Sequence, residues 1–484
     1  MPITNKGKTN LKELRELFNE AVHFEDFILS TLKKEEGAID GETYQKSHGI
    51  KGYYCDGFLP KGIKGITSEP SLLEICYFPL KNDIKSILDR QKIINTEGKT
   101  IVIVCPLSDK EINEIAKLWK HNTCILGIKY LRKLIMNNPL EWLIFSASCS
   151  KDNVAVYNEA TETCTIKNRS LVGRLLGIEV SFSKDNIHDL SLISAALFKN
   201  KIKKQGNPAL FIGNGASIHF GSDLWAPLCT SLFDYLTPKY ISNADSVKKT
   251  IGNSTFSMSS MTKYLIDKDK YYFAIYSSIY RKYEEDMHTE NTLIRAAVQA
   301  KIKNPNMPIV TYNYDNFFER DYEKVTNKKI KSVINRSSNL RSSEPKILHV
   351  HGFFPLRKNG SKAKPNLVLT QEEYYSAYVS RGWTPSIQKK ILTENTCLFI
   401  GSSMSDLYQM SMIDEVQKDY YSKANDSIEF KTLTPWKCFA LVCLKDMDTR
   451  DIVSLYNFYI SKGVYIIFVD KFKDLPKELS KLFR

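Results

Sequence analysis

The sequence predicts an α/β protein of two domains, the larger one an open parallel sheet toward the C-terminus. Three observations lead there. At 484 residues the chain exceeds the roughly 250–300 residues at which single cores stop growing. Apolar runs of strand length alternate with helical periodicity along most of the chain. Late in the chain, several buried runs end in glycine turns or Asn/Asp pairs, the positions from which open parallel sheets bind ligands.

The first domain opens with residues 10–34, where Leu11, Leu14, Phe18, Val22, Phe27 and Ile28 recur at helical spacing. Two strand-like pieces follow, YYCDGFLP and SLLEICYFP. A helix-like KNDIKSILDRQKI, a buried strand TIVIVCPL, a helix DKEINEIAKLWK, a short strand CILGI and a helix YLRKLIMN complete it. This gives a smaller α/β domain over 1–140. Residues 141–185 mix short apolar pieces with polar stretches and are expected to connect it to a second domain over 186–484. That domain begins with the helix-like HDLSLISAALFKNKIKKQ.

Composition narrows the class. Hydrophobic residues make up 43% and charged residues 25%, ordinary for a globular protein. No run approaches the ~18 apolar residues of a membrane span. The N-terminal MPITNKGKTN lacks a signal peptide's apolar core, so a cytoplasmic location without membrane contact is expected. The ten cysteines form no CxxC pair, and most sit in apolar runs, which points to buried free thiols rather than a metal site or disulfide framework. A net charge of +14 favours polyanionic partners, but the lysines are spread along the whole chain, so nucleic acid is only weakly indicated.

The chemistry concentrates in the second domain. ALFIGNGASIHFGSDLW reads as a buried strand, a glycine turn and a helix, a junction that lets backbone N–H groups approach a diphosphate. Gly213 and Gly215 suit the turn and Ser217 supplies a hydroxyl; the third glycine of the dinucleotide fingerprint is missing. Downstream, MPIVTYNYDNFFERDY delivers Thr311, Asn313 and Asp315 at a strand end, and KILHVHGFFP presents His349, His351 and Gly352. NTCLFIGSSMSDLYQ then supplies Gly401, Ser402, Ser403 and Asp406. Blander roles stand beside these. Asn313 and Asp315 could cap the helix that follows, His349 faces away from His351 on a strand, and Trp225 and the Tyr374/Tyr375 pair read as packing residues.

In this order the motifs resemble the sirtuin family. GNGAS stands where that family has its phosphate turn, TYNYD matches its TQNxD motif, and His351-Gly352 matches its catalytic His-Gly. GSSMSD matches its late ribose contact, and GVYIIF resembles its terminal strand. The resemblance implies a Rossmann-like sheet and NAD as substrate. By it, Asn313 orients the ribose or the attacking water, His351 is the general base, and Asp315 holds the nicotinamide side or the turn. Gly213, Asn214, Gly215, Ala216 and Ser217 take the diphosphate, with Thr311, Gly401, Ser402, Ser403 and Asp406 lining the rest of the cofactor site. The family's deacylases carry a zinc on two CxxC pairs. This chain has none, so neither zinc nor another metal is expected.

TYNYDNFFE, with Glu319 following, resembles the sirtuin-like domains of bacterial antiphage defence. That implies a hydrolase cleaving NAD to nicotinamide and ADP-ribose, an effector controlled by homo-oligomerisation or a partner defence protein. An NAD-dependent protein deacylase or ADP-ribosyltransferase, or a non-catalytic NAD, ADP-ribose or nucleic-acid sensor, are the alternatives. The first domain more faintly resembles Mrr-like restriction-endonuclease folds, through Asp56 and Glu74 before the strand TIVIV. Cys76 stands where active members have a lysine, and Lys81 is too far along to replace it. A degenerate nuclease fold retained for sensing DNA or a partner is the expectation, against a plain α/β module.

Overall fold

The computed structural model of the chain describes residues 11–41, 43, 55–77, 100–116, 123–149, 155–161, 163–167, 179–182, 190–236, 240–250, 254–280, 282–284, 289–335, 344–356, 366–378, 382–404, 406–426, 438–444 and 447–484. It divides into two compact units, the second beginning at Leu190.

In the first unit the apolar spacing of the opening segment becomes one helix, Leu11–Glu36. A five-stranded sheet follows, made of β1 (Ile39–Asp40), β2 (Gly57–Leu59), β3 (Ser71–Ile75), β4 (Thr100–Val104) and β5 (Thr123–Leu126), ordered as numbered. β1, β2 and β3 pair antiparallel, whereas β3, β4 and β5 run parallel. The all-apolar β4 is buried along its whole length, as a central parallel strand must be. The helix expected between β3 and β4 lies outside the described residues. Helix Pro139–Cys149 packs on the first helix: Trp142, fully buried, lies 5.5 Å from the Phe27 ring and 4.9 Å from Phe145. Residues 141–185, expected as a connecting region, thus begin inside this core. They continue in a separate antiparallel sheet of β6 (Ala155–Asn158), β7 (Thr163–Lys167) and β8 (Glu179–Phe182).

The second unit is built on seven parallel strands. These are β9 (Pro208–Ile212), β10 (Ile309–Thr311), β11 (Lys331–Val333), β12 (Lys346–His349), β15 (Thr396–Ile400), β16 (Cys438–Cys443) and β17 (Val464–Val469). Their order is β11-β12-β10-β9-β15-β16-β17, with every pairing parallel. A two-residue antiparallel pair, β13 (Gly352–Phe353) and β14 (Asn366–Leu367), stands apart. β9, β15 and β17 are buried throughout, which is why they read as unbroken apolar runs. Helices Leu190–Gln205 and Thr449–Ser461 both pack against β17 and cover this last strand. This is the Rossmann-like α/β arrangement that the sequence predicts.

Chain reversal in strand order occurs at β9, which has β10 on one side and β15 on the other. Here the turns after β9 and β15 meet backbone to backbone. Gly213 N–H donates to Ile400 O at 2.8 Å, and Gly215 N–H to Gly401 O at 2.8 Å. A Cβ on Gly213 or Gly215 would lie 2.5 or 2.7 Å from Gly401 O, and one on Gly401 would lie 2.4 Å from Ala216 N. Gly401 also holds φ +61°. Only glycine satisfies both demands there. Replacing Gly401 with Ala is expected to destabilise the second unit by about 2–4 kcal/mol, read from the shift in its urea midpoint. A loss below about 0.5 kcal/mol would show that the two turns need no such contact.

Candidate functional site

The carboxyl ends of β9, β10, β12 and β15 bring together the residues singled out from the sequence. After β9, Gly213 leads into a 3-10 helix, Asn214–Phe220, which ends at left-handed Gly221. The expected α-helix starts only at Trp225. The backbone of this turn is internally engaged: beyond the Gly213 and Gly215 bonds, Ala216 N–H donates to Gly213 O at 3.0 Å. The Asn214 side-chain amide donates to Asp223 O at 2.5 Å.

Ser217 points inward and is fully buried. Its hydroxyl donates to Asp315 Oδ2 at 2.7 Å and accepts from Asn313 Nδ2 at 2.9 Å. Asp315 Oδ1 accepts from Phe317 N–H at 3.1 Å, so this carboxylate also steadies the start of helix Phe317–Thr326. Thr311 Oγ1 accepts from Asn313 N–H at 3.1 Å. Asn313 Oδ1, in contrast, is buried with no partner among the described residues. A buried amide oxygen without a donor is costly, and a ligand hydroxyl is what would satisfy it.

Burial pushes the Asp315 carboxyl up to about 6, although the Ser217 hydroxyl and the Phe317 N–H oppose the shift. His351 moves the other way. Burial pushes its imidazole down to about 4 against the pull of Asp406, so the ring is neutral near pH 7. Its Nε2 lies 2.6 Å from Tyr378 Oη and its Nδ1 3.4 Å from Tyr374 Oη. The Tyr312, Tyr374 and Tyr378 rings surround it at centroid distances of 4.9, 5.1 and 5.7 Å. Asp406 caps helix Leu407–Asp426, with Oδ1 accepting from Tyr408 N–H at 2.9 Å. Its Oδ2 accepts from Tyr374 at 3.3 Å and sits 3.9 Å from His351 Nε2. Ser402 Oγ accepts from Met404 N–H at 3.2 Å, and Ser403 O accepts from Tyr459 Oη at 3.0 Å.

Several neighbours were not legible as site residues. Tyr374, expected as packing, is buried against His351, whereas Tyr375 is 61% exposed. Tyr378 follows Tyr374 at i+4 on helix Gln371–Tyr378, the spacing that could have marked both as one face. Gln388 accepts from Tyr312 Oη at 2.7 Å and donates to Tyr378 Oη at 3.5 Å, and nothing in its sequence context signals this. His349 does face away from His351. Its Nε2 meets Glu319 Oε1 at 2.7 Å and its Nδ1 meets Asn313 O at 3.2 Å. That carbonyl only accepts, so Nδ1 carries the proton.

In the first unit, Asp56 Oδ2 accepts from Ile75 N–H at 2.7 Å, beside the buried Glu74. Glu25 of the first helix is pushed up to about 7 by burial and by Asp56. Cys76 is half-buried, and Lys81 lies outside the described residues. Among the described residues no three His, Cys, Asp or Glu side chains are grouped to hold a metal ion. No helix among them is long and apolar enough to cross a membrane.

Comparison with known families matches residues 308–430 to the SIR2-like domain. The match spans Thr311, Asn313, Asp315, His351, Gly401, Ser402, Ser403 and Asp406, and leaves the glycine turn after β9 outside it. No curated protein matches the chain. The match carries NAD-linked chemistry in general terms, and the unpartnered Asn313 oxygen and the neutral His351 fit such a ligand.

The Asp315 shift makes a prediction. Its folded value lies above the ordinary 3.8, so its stabilising contribution is complete below that pH and is lost as pH rises through about 6. Asp315→Asn keeps an acceptor for Phe317 and has no charge to bury. Near pH 7 it is expected to stabilise the protein by about 2–3 kcal/mol and to flatten the pH dependence of the urea midpoint between about 4 and 6. Identical slopes for both proteins would mean that Asp315 ionises normally.

Proposed function

We propose that the second unit cleaves NAD to nicotinamide and ADP-ribose. The observation that carries this reading is the pairing of Asn313, fixed by Ser217 with its Oδ1 unpartnered, with a neutral His351 on the neighbouring strand end. A sensor that only binds needs no such base. The chain also lacks CxxC pairs, which favours hydrolysis over the zinc-containing deacylases it resembles.

In the reaction the bond between ribose C1′ and the nicotinamide nitrogen breaks, and its electron pair leaves with neutral nicotinamide. Positive charge develops on the ribose, and a water oxygen forms the new bond to C1′. Asn313 Oδ1 holds a ribose hydroxyl or that water. The attacking water becomes strongly acidic as it bonds, so even a weak base such as His351 can take its proton and pass it to solvent. An ionised Asp315 places a negative charge near the developing cation. The diphosphate lies toward the turn after β9, and Ser402 and Ser403 lie toward the adenosine ribose.

One observation favours a second reading. Both ring nitrogens of His351 are met by tyrosine hydroxyls and the ring is 6% exposed, an arrangement suited to a resting form or to binding without turnover. By resemblance, the hydrolase serves as a cytoplasmic effector of antiviral defence, released by self-assembly or a partner when infection is detected. The first unit, where Glu25 of the first helix and Glu74 of β3 both lie close to Asp56, supplies the detection as a degenerate nuclease-like module that meets nucleic acid or a partner.

Purified protein is expected to release nicotinamide and ADP-ribose in equal amounts. Asn313→Ala and His351→Ala should each lower kcat about 100-fold or more. Turnover surviving both substitutions would remove these residues from the chemistry. Stable NAD binding without products, with DNA present or absent, would favour the sensor.

A further inference from the structure

The sheet has a second end. A cavity of about 790 Å³ opens at the amino ends of β10 and β12, lined by Ile309 and Lys346, their first residues, and by Pro308 and Pro345 just before them. Asn313 and His351 lie at the opposite, carboxyl ends of the same two strands. The cavity's size is that of a small-molecule site. Tyr322, Ile387 and Ile391 give it apolar walls.

Its charge is unbalanced. Four lysines line it, Lys301, Lys328, Lys346 and Lys390, against two glutamates, Glu344 and Glu394. Lys301 is 4% exposed, and its Nζ donates to Pro305 O and Met307 O, both at 2.7 Å. Those are neutral acceptors, and among the described residues no carboxylate is bonded to this Nζ. Among the described residues Lys328 and Lys390 likewise meet no acidic partner, and both are exposed. A buried ammonium without a counter-ion is costly, and two further free ammoniums at the same opening deepen the demand for an anion.

We propose that this cavity binds an organic phosphate of nucleotide size. The phosphate meets Lys301, Lys328 and Lys390, and the flat body of the ligand lies against Tyr322, Ile387 and Ile391. An occupant also has a route to the other end of the sheet. Helix Trp383–Glu394 lines the cavity with Ile387, Lys390, Ile391 and Glu394, and the same helix carries Gln388. Gln388 holds the Tyr312 and Tyr378 hydroxyls, and Tyr378 holds His351. A ligand that shifts this helix changes what His351 touches. Binding stands independently of the NAD reading; only an effect on turnover rests on it.

The test is calorimetric titration of the full chain with ATP as the probe, and with inorganic phosphate beside it. The expected result is one saturable ATP site per chain, tighter than phosphate. In the Lys328→Glu/Lys390→Glu variant, whose changes are on exposed side chains, ATP affinity should fall about tenfold or more with the Tm unchanged. No saturable ATP binding up to millimolar concentration would overturn the proposal. Equal affinity in the variant would also overturn it, because ATP would then be entering elsewhere, such as the glycine turn after β9. Lysine-dependent ATP binding by a protein that never consumes NAD would uphold this site while refuting the hydrolase reading. NAD turnover without ATP binding would do the reverse.

Discussion

Everything at the carboxyl edge of the large sheet depends on two turns touching through bare backbone. Gly213 and Gly215 on one side and Gly401 on the other let the chain after β9 bond directly to the chain after β15. Side chains at these positions would hold the turns apart. The contact sets where Ser217 emerges, and Ser217 in turn fixes Asn313 and Asp315. Conformational freedom of glycine is therefore converted into the placement of a buried hydroxyl between two partners.

The site combines two ionisable groups that burial drives in opposite directions, Asp315 upward and His351 downward. Each moves toward its uncharged form, which is the usual consequence of withdrawing water from a charge. The pair occupies adjacent strand ends, linked through the parallel register of β10 and β12. The result, near pH 7, is a neutral imidazole beside a buried carboxylate that is ionised but close to taking up a proton. Attraction of an anionic dinucleotide to the protein is left to the general excess of lysine.

Much of the fold was legible in the sequence, for a simple reason. Strands buried on both faces must be apolar at every position, so PALFI, TCLFI and VYIIFV announce themselves. β11, β13 and β14, of two or three residues each, did not. In the site, the strand-end positions of Asn313, His351 and Gly401 followed from pattern and resemblance. The Ser217–Asp315 bond, between residues 98 positions apart, could not, since no local rule links them. Nor could the tyrosines around His351: an aromatic on a helix reads as core whether its neighbour is a leucine or a histidine. His349 was placed on the correct face, but its Glu319 partner required the fold to bring a helix over it.

The order of the strands also bears on how this protein is made. β9 is synthesised early in its unit, yet its neighbours in the sheet are β10 and β15, the latter almost two hundred residues further on. At about 5–20 residues per second, a ribosome takes roughly ten to forty seconds to supply that second neighbour. Until then the glycine turn has nothing to close against, and β9 lacks its second neighbour in the sheet. The backbone contact that sets Ser217, and through it Asn313 and Asp315, is thus among the last features of the unit to form.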